Sequence, residues 1–176
     1  MLGFKLKKIL FAFISLLSCN SLAKPNTMQF LGATSNQTCI IEVNGSSSNP
    51  VVLLETVTVN DLVLPSSYAG ERWFELSLRD CIPLQVDDVY LTKLVGNATS
   101  KGNLINAAGD AENVALQLLN SNKEPIELYQ PSVLEIDMPT GSDKGKLRIG
   151  VRYLSEEGNA TAGSVISNLQ YLVTYN

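Results

Sequence analysis

The chain has 176 residues, with 13 lysines and arginines against 17 aspartates and glutamates, a formal net charge of −4 and no histidine. An acidic chain without a basic cluster is poorly suited to nucleic acid or to an anionic membrane surface. Without histidine, and without a Ser- or Cys-based nucleophile motif, catalysis has little to stand on.

In chain order, Lys5, Lys7 and Lys8 precede an apolar run from Ile9 to Leu17, and a short polar stretch follows, ending Ser21-Leu22-Ala23. This is the layout of a secretory signal peptide, residues 1–23. The apolar run is far shorter than the roughly 20 residues a helix needs to cross a bilayer. A second reading of the same stretch stays open, because Leu16-Leu17-Ser18-Cys19 also looks like a site where a bacterial lipoprotein is cut and acylated. Cleavage after Ala23 is expected to leave 153 residues, a single domain's worth, with 10 basic and 17 acidic side chains and hence a charge of −7. Of the three cysteines, Cys19 lies in the leader, and Cys39 and Cys81 remain. In an oxidising compartment such a pair reads as one disulfide, contributing about 4 kcal/mol on the chain-entropy account.

The remaining pattern is short alternation between turn-rich stretches, which predicts strands with one buried face. The alternating sets are Met28, Phe30 and Gly32; Val57 and Val59; Phe74, Leu76 and Leu78 running up to Cys81; Val89 and Leu91; Val114, Leu116 and Leu118; Leu147, Ile149, Val151 and Tyr153; and Val165, Leu169, Tyr171, Val173 and Tyr175. Ala111 to Leu119 has helix-compatible composition, but its period of two and turn-like flanks predict a strand. Turns are expected at Asn44-Gly45, Gly96-Asn97, Ala108-Gly109-Asp110, Thr140-Gly141-Ser142 and Glu157-Gly158-Asn159. About eight strands, two of them joined by a disulfide, predict an all-β, immunoglobulin-like antiparallel sandwich. That fold class alone says little about function.

Particular residues go further. Met28-Gln29-Phe30-Leu31-Gly32-Ala33-Thr34 followed by Cys39 resembles the donor segment and first cysteine of fimbrial subunits assembled by the chaperone-usher pathway. Phe74-Glu75-Leu76-Ser77-Leu78-Arg79-Asp80-Cys81 is similar to the strand that ends on their second cysteine, and Asn103-Leu104-Ile105-Asn106 with Val114-Ala115-Leu116-Gln117-Leu118 to the strand that follows. At the C-terminus Ala162-Gly163-Ser164-Val165 leads through alternating apolar residues to Tyr175-Asn176; Gly163 is 14th from the end and Tyr175 is penultimate, as in that family.

The resemblance implies a sandwich that lacks one strand, with a donor segment at 24–37 and an incomplete domain at 38–176. Met28, Phe30, Gly32 and Thr34 would face a neighbouring subunit's groove. Gly163, Val165, Leu169, Tyr171, Val173, Tyr175 and Asn176 would form the acceptor groove and the strand gripped by a periplasmic chaperone, an outer-membrane usher then exchanging the chaperone for the next subunit. Thr34 and Asn36 are more polar than groove-filling positions should be. The implied partners are other pilin subunits in a homo- or heteropolymer, with no cofactor and no metal; the implied place is a fimbria on the cell surface, and the implied role is cell adhesion by the whole fibre. A self-contained binding module, exported or lipid-anchored, is the alternative.

Other features read as structure. Trp73 sits beside Phe74 in a strand and is expected on a face or rim, Tyr68 is a surface aromatic, and Asp87-Asp88 would point to opposite faces, which is wrong for a paired acid and base. The Asn-x-Ser/Thr triplets at Asn36, Asn44, Asn97 and Asn159 read as chance matches in polar loops.

Overall fold

The alternating segments fold as antiparallel strands, nine of them among the residues that the computed structural model describes, 39–85 and 88–175. The chain divides into two compact units, 1–35 and 36–176, and the described residues belong to the second. The strands are β1 (Ile40–Val43), β2 (Ser67–Arg79), β3 (Tyr90–Gly96), β4 (Leu104–Ile105), β5 (Ala115–Leu119), β6 (Pro125–Ile126), β7 (Ser132–Glu135), β8 (Gly145–Ser155) and β9 (Leu169–Tyr175). One sheet has the order β1-β2-β8-β5-β4, with β6 also paired to β5; the other has the order β7-β3-β9. No α-helix occurs among the described residues.

Alternation explains which faces meet. Phe74, Leu76 and Leu78 of β2, Leu116 and Leu118 of β5, and Ile149 and Val151 of β8 are buried, and they pack towards Tyr90 and Leu94 of β3 and the half-buried face of β9. The core runs as two adjoining clusters, one around Phe74, Leu118 and Val151 and one around Leu76, Leu78, Tyr90 and Cys81. Cys39 and Cys81 are disulfide-bonded, tying the chain entering β1 to the chain leaving β2. At the expected Asn44-Gly45 turn both residues have positive φ, 50° and 79°, and the Asn44 side-chain oxygen accepts the Glu75 amide at 2.9 Å.

Several expectations need correction. Val57 and Val59 form no strand: residues 51–57 run extended without a ladder, and Val59–Leu62 is a 3-10 turn, because Thr58 and Asp61 make a capping box at its start. In β3 the phase is reversed. Tyr90, Thr92 and Leu94 point inward rather than Val89 and Leu91, since the fully buried Thr92 occupies a core position that a polarity pattern assigns to solvent. The strand read from Ala111 begins at Ala115, and the C-terminal strand begins at Leu169, with Val165 in the extended segment before it. Asp88 lies in the loop before β3, where its carboxylate accepts the Gln85 amide at 3.0 Å, and Asp87 lies outside the described residues.

Candidate functional site

Beside the core lies a groove with two walls. One wall is residues 50–59, the other 161–171, and together they enclose two adjoining cavities of about 420 and 520 Å³ that share Tyr153 and Val165. The floor of the larger cavity is the core itself: Val43, Phe74, Leu116, Leu118 and Val151. Because 50–54 and 165–171 line the larger cavity while 56–59 and 161–165 line the smaller, the two walls run in opposite directions.

Both walls present unpaired backbone to the groove. Strand β9 pairs with β3 on one edge, from Tyr90↔Tyr175 to Gly96↔Leu169, and among the described residues its other edge has no strand partner. The same edge continues upstream. Ser164 and Ile166 bond to the loop 106–111: the Ser164 oxygen accepts the Ala111 amide at 3.0 Å, the Ile166 amide donates to the Asn106 side chain at 2.8 Å, and the Ile166 oxygen accepts the Ala107 amide at 2.8 Å. In extended chain successive residues direct their amides and carbonyls to opposite sides, so Val165 and Ser167, alternating with Ser164 and Ile166, direct theirs away from the 106–111 loop. In the facing wall the backbone of residues 51–57 makes no hydrogen bond among the described residues. Its apolar side chains split by parity: Val52 and Leu54 pack on the core, whereas Val51 and Leu53 are 75% and 78% exposed. The wall is brought close by a bulge in β2 between Ala69 and Arg72, where Gly70 (φ +65°) lies under Val57 and leaves no room for a Cβ.

Gly163 has a packing role, not a turn role. A Cβ there would lie 2.5 Å from the Ala111 nitrogen and 2.8 Å from its Cα, so only glycine lets this wall approach the 106–112 loop. Asn106 clamps the same junction: its oxygen accepts the amides of Gly109 (3.0 Å) and Ile166 (2.8 Å), and its nitrogen donates to the carbonyls of Ala111 (2.8 Å) and Ser164 (3.1 Å). The Asp110 carboxylate accepts both the amide and the hydroxyl of Ser164, which holds its pKa below the ordinary 3.8. Sequence reasoning missed Asn106 and Asp110 as clamps, since a polar loop residue looks the same whether or not it bonds to a segment 54–60 residues away.

At the other end of β9, Tyr175 packs on Tyr90 with ring centroids 5.2 Å apart, and its hydroxyl donates to Asp88, which raises the tyrosine pKa above 10.0. Of the residues singled out in the sequence, Leu169, Tyr171, Val173 and Tyr175 form the half-buried, inward row of β9, Val165 continues it, and Gly163 is exposed against the 106–112 loop. Met28, Phe30, Gly32, Thr34 and Asn176 lie outside the described residues. Trp73 takes the outward face of β2, as expected for a strand-face residue, with the Arg148 guanidinium 4.6 Å from the ring centroid; Tyr68 is similarly covered by Arg152 at 3.6 Å.

This architecture of two antiparallel sheets is similar to that of solved pilus proteins. The chain superposes on the antigen and type I fimbria protein of Burkholderia pseudomallei with a TM-score of 0.56 (21% identity, 80% of this chain and 99% of the other). Against the P pilus rod subunit PapA the TM-score is 0.57 (11% identity, 85% and 99%). The CupB6 tip adhesin of Pseudomonas aeruginosa gives 0.58 (16% identity, 69% of this chain and 34% of the adhesin). In sequence the chain is 27% identical over 174 residues to the serotype 3 fimbrial subunit of Bordetella pertussis (strain Tohama I), covering 88% of this chain and 78% of the relative. No family model matches. The resemblance to chaperone-usher fimbrial subunits read from the cysteine pair and the C-terminal pattern thus agrees with both the sequence relative and the fold.

Proposed function

We propose that the protein is a structural, non-enzymatic subunit of an adhesive fimbria, exported to the cell surface, which polymerises by accepting a neighbour's N-terminal strand in its groove and lending its own. The observation that carries this reading is the groove, floored by the hydrophobic core, between residues 51–57, whose backbone makes no hydrogen bond among the described residues, and β9, whose edge away from β3 has no strand partner among them. A strand laid there would bond to both walls at once, which is strand addition to a sheet edge. Unpaired edges beside apolar surface are a hazard that proteins ordinarily cover. Burial of Met28 and Phe30 would contribute roughly 1.5–3 kcal/mol each, and each strand hydrogen bond about 0.5–1.5 kcal/mol. A periplasmic chaperone would cover the groove during transit and an outer-membrane usher would catalyse the exchange; the chaperone would grip the Asn176 carboxylate beside Tyr175.

The test is thermal unfolding of a domain beginning at Asn36, with and without a synthetic peptide of residues 24–37. The reading expects the peptide to raise the midpoint by tens of degrees or to rescue an aggregating protein. A domain that is stable alone and indifferent to the peptide would instead be a self-contained binding module.

A further inference from the structure

Two exposed apolar patches lie outside the groove, at opposite ends of the molecule. Val63 and Leu64 form one, in the turn leading into β2, where Leu64 is 69% exposed; Ile40 and Ile82 form the other, one residue beyond Cys39 and Cys81, where Ile82 is 48% exposed. Between them run the thirteen residues of β2, about 40 Å of strand. Backbone bonds pin both patches in place. The Val63 oxygen accepts the Asn159 amide at 2.9 Å, the Leu64 oxygen accepts the Ser67 amide at 3.1 Å, and the Ser66 amide donates to the Ser155 oxygen at 2.8 Å. At the other end the Ile82 oxygen accepts the Tyr90 hydroxyl at 3.2 Å, and the Cys81 amide donates to the Asp143 oxygen at 3.1 Å. Docking surfaces ordered in advance lose little entropy on contact.

Resting on the strand-acceptor reading above, we propose that these patches meet body to body: Val63 and Leu64 of one chain dock on Ile40 and Ile82 of a second copy. This contact lies outside the groove and is made in addition to any strand held within it.

The place where the lending segment ends decides which patches can meet. From Asn36 to Cys39 the chain reaches at most about 11 Å, so the disulfide of a lending copy, with Ile40 and Ile82 beside it, lies close to one end of the groove its segment fills. That groove has two ends. One opens beside the Val63-Leu64 turn, since Leu62 lines the cavity there with Gly163; the other lies at Tyr175, which packs in the same cluster as Cys39. A lender seated at the second end would set disulfide against disulfide, a like-to-like contact in which each copy fills the other's groove and growth stops at two. Seated at the first end it sets unlike surfaces together, and an unlike contact that does not close repeats into a filament. A fibre subunit therefore brings the Ile40-Ile82 patch of one copy to the Val63-Leu64 patch of the next. Mutual burial takes both from water. A strand alone would leave adjoining bodies hinged on the residues between Asn36 and Cys39, whereas a docked contact fixes the angle between them and stiffens the fibre.

The test uses fibres assembled from the chain beginning at Lys24, with the photoreactive residue p-benzoylphenylalanine replacing Val63, irradiated and mapped by mass spectrometry. The proposal expects crosslinks from position 63 of one copy to the 39–43 or 80–84 segment of another. It also expects a yield at least about tenfold lower in Leu64→Asp, the effect that unburying one leucine carries. Fibres of Leu64→Asp should still form, because the groove is untouched, and should bend more freely in electron micrographs, while Leu64→Met should match wild type. Crosslinks to any other segment, or Leu64→Asp fibres with wild-type yield and stiffness, overturn the docking and leave strand acceptance standing. So does a chain that binds the 24–37 peptide yet stays monomeric at every concentration, because a second copy is then not its partner. A domain beginning at Asn36 that ignores the peptide overturns strand acceptance, and the proposal with it. Should Leu64→Asp melt well below wild type, the position of the crosslink in the chain that keeps Leu64 decides alone.

Discussion

A methyl group on Gly163 would lie 2.5 Å from one backbone nitrogen, and backbone yields less readily than a flexible side chain. Gly163→Ala is therefore expected to cost about 1–3 kcal/mol through overpacking, lowering the melting temperature by roughly 2–4 °C per kcal/mol at this chain length. An unchanged melt would show that the wall can back away from the 106–112 loop. The same junction should respond to acid. Asp110 is held in its charged form by Ser164, so its folded pKa lies below its unfolded value. Such a group contributes stability that is fully present above the unfolded pKa and is lost as pH falls through the folded one. Melting temperatures of Asp110→Asn should thus fall less steeply than wild type on acidification below about pH 4. Identical acid slopes in the two proteins would mean that the carboxylate bonds to Ser164 no better than an amide does.

Among the elements, residues 51–57 are the least ordinary, an extended wall with no ladder on either side among the described residues. Amides lacking a stable bond exchange quickly with solvent. Hydrogen exchange of the 51–57 amides should accordingly be fast in the isolated domain and slow by orders of magnitude once a strand occupies the groove, with β2 and β8 protected in both states; protection of 51–57 before any strand is added would mean the wall is already paired. This wall also marks where reading the sequence stopped short. Alternation located β2, β5, β8 and β9, because the large apolar residues of each, such as Phe74, Leu76 and Leu78 or Leu116 and Leu118, keep a period of two even where β5 and β8 are buried on both faces. It failed at 51–57, where Val51-Val52-Leu53-Leu54 is a continuous apolar run that forms no ladder among the described residues, and in β3, where buried Thr92 inverts the apparent phase. The inward row of β9 was legible from the alternation of Tyr171, Val173 and Tyr175. The Gly163 end was only half so: the glycine was conspicuous by its place, but its cause, the close approach of Ala111 clamped by Asn106, is a contact between distant segments that no local pattern carries.

On the function proposed above, accepting a strand and lending one would be separable acts carried by different residues. On that reading a chain lacking residues 24–35 would keep the groove, the disulfide and β9, yet have nothing to lend. It should add to a growing fibre through its groove and then present the end of the fibre with no donor, so that small fractions mixed with intact chains shorten fibres in proportion to their share. A chain with Phe30→Arg should do the same while keeping its full length, which separates loss of the donor from loss of bulk. Fibres of unchanged length in both mixtures would place the subunit contact outside the groove. Once formed, each junction should persist longer than its equilibrium affinity implies, because release requires stripping an entire strand from two walls and leaving core residues such as Phe74 and Leu118 open to water. Dilution should therefore leave assembled fibres intact for as long as the domain itself resists unfolding, and destabilising variants such as Gly163→Ala should shorten that lifetime by weakening the wall the strand leans on.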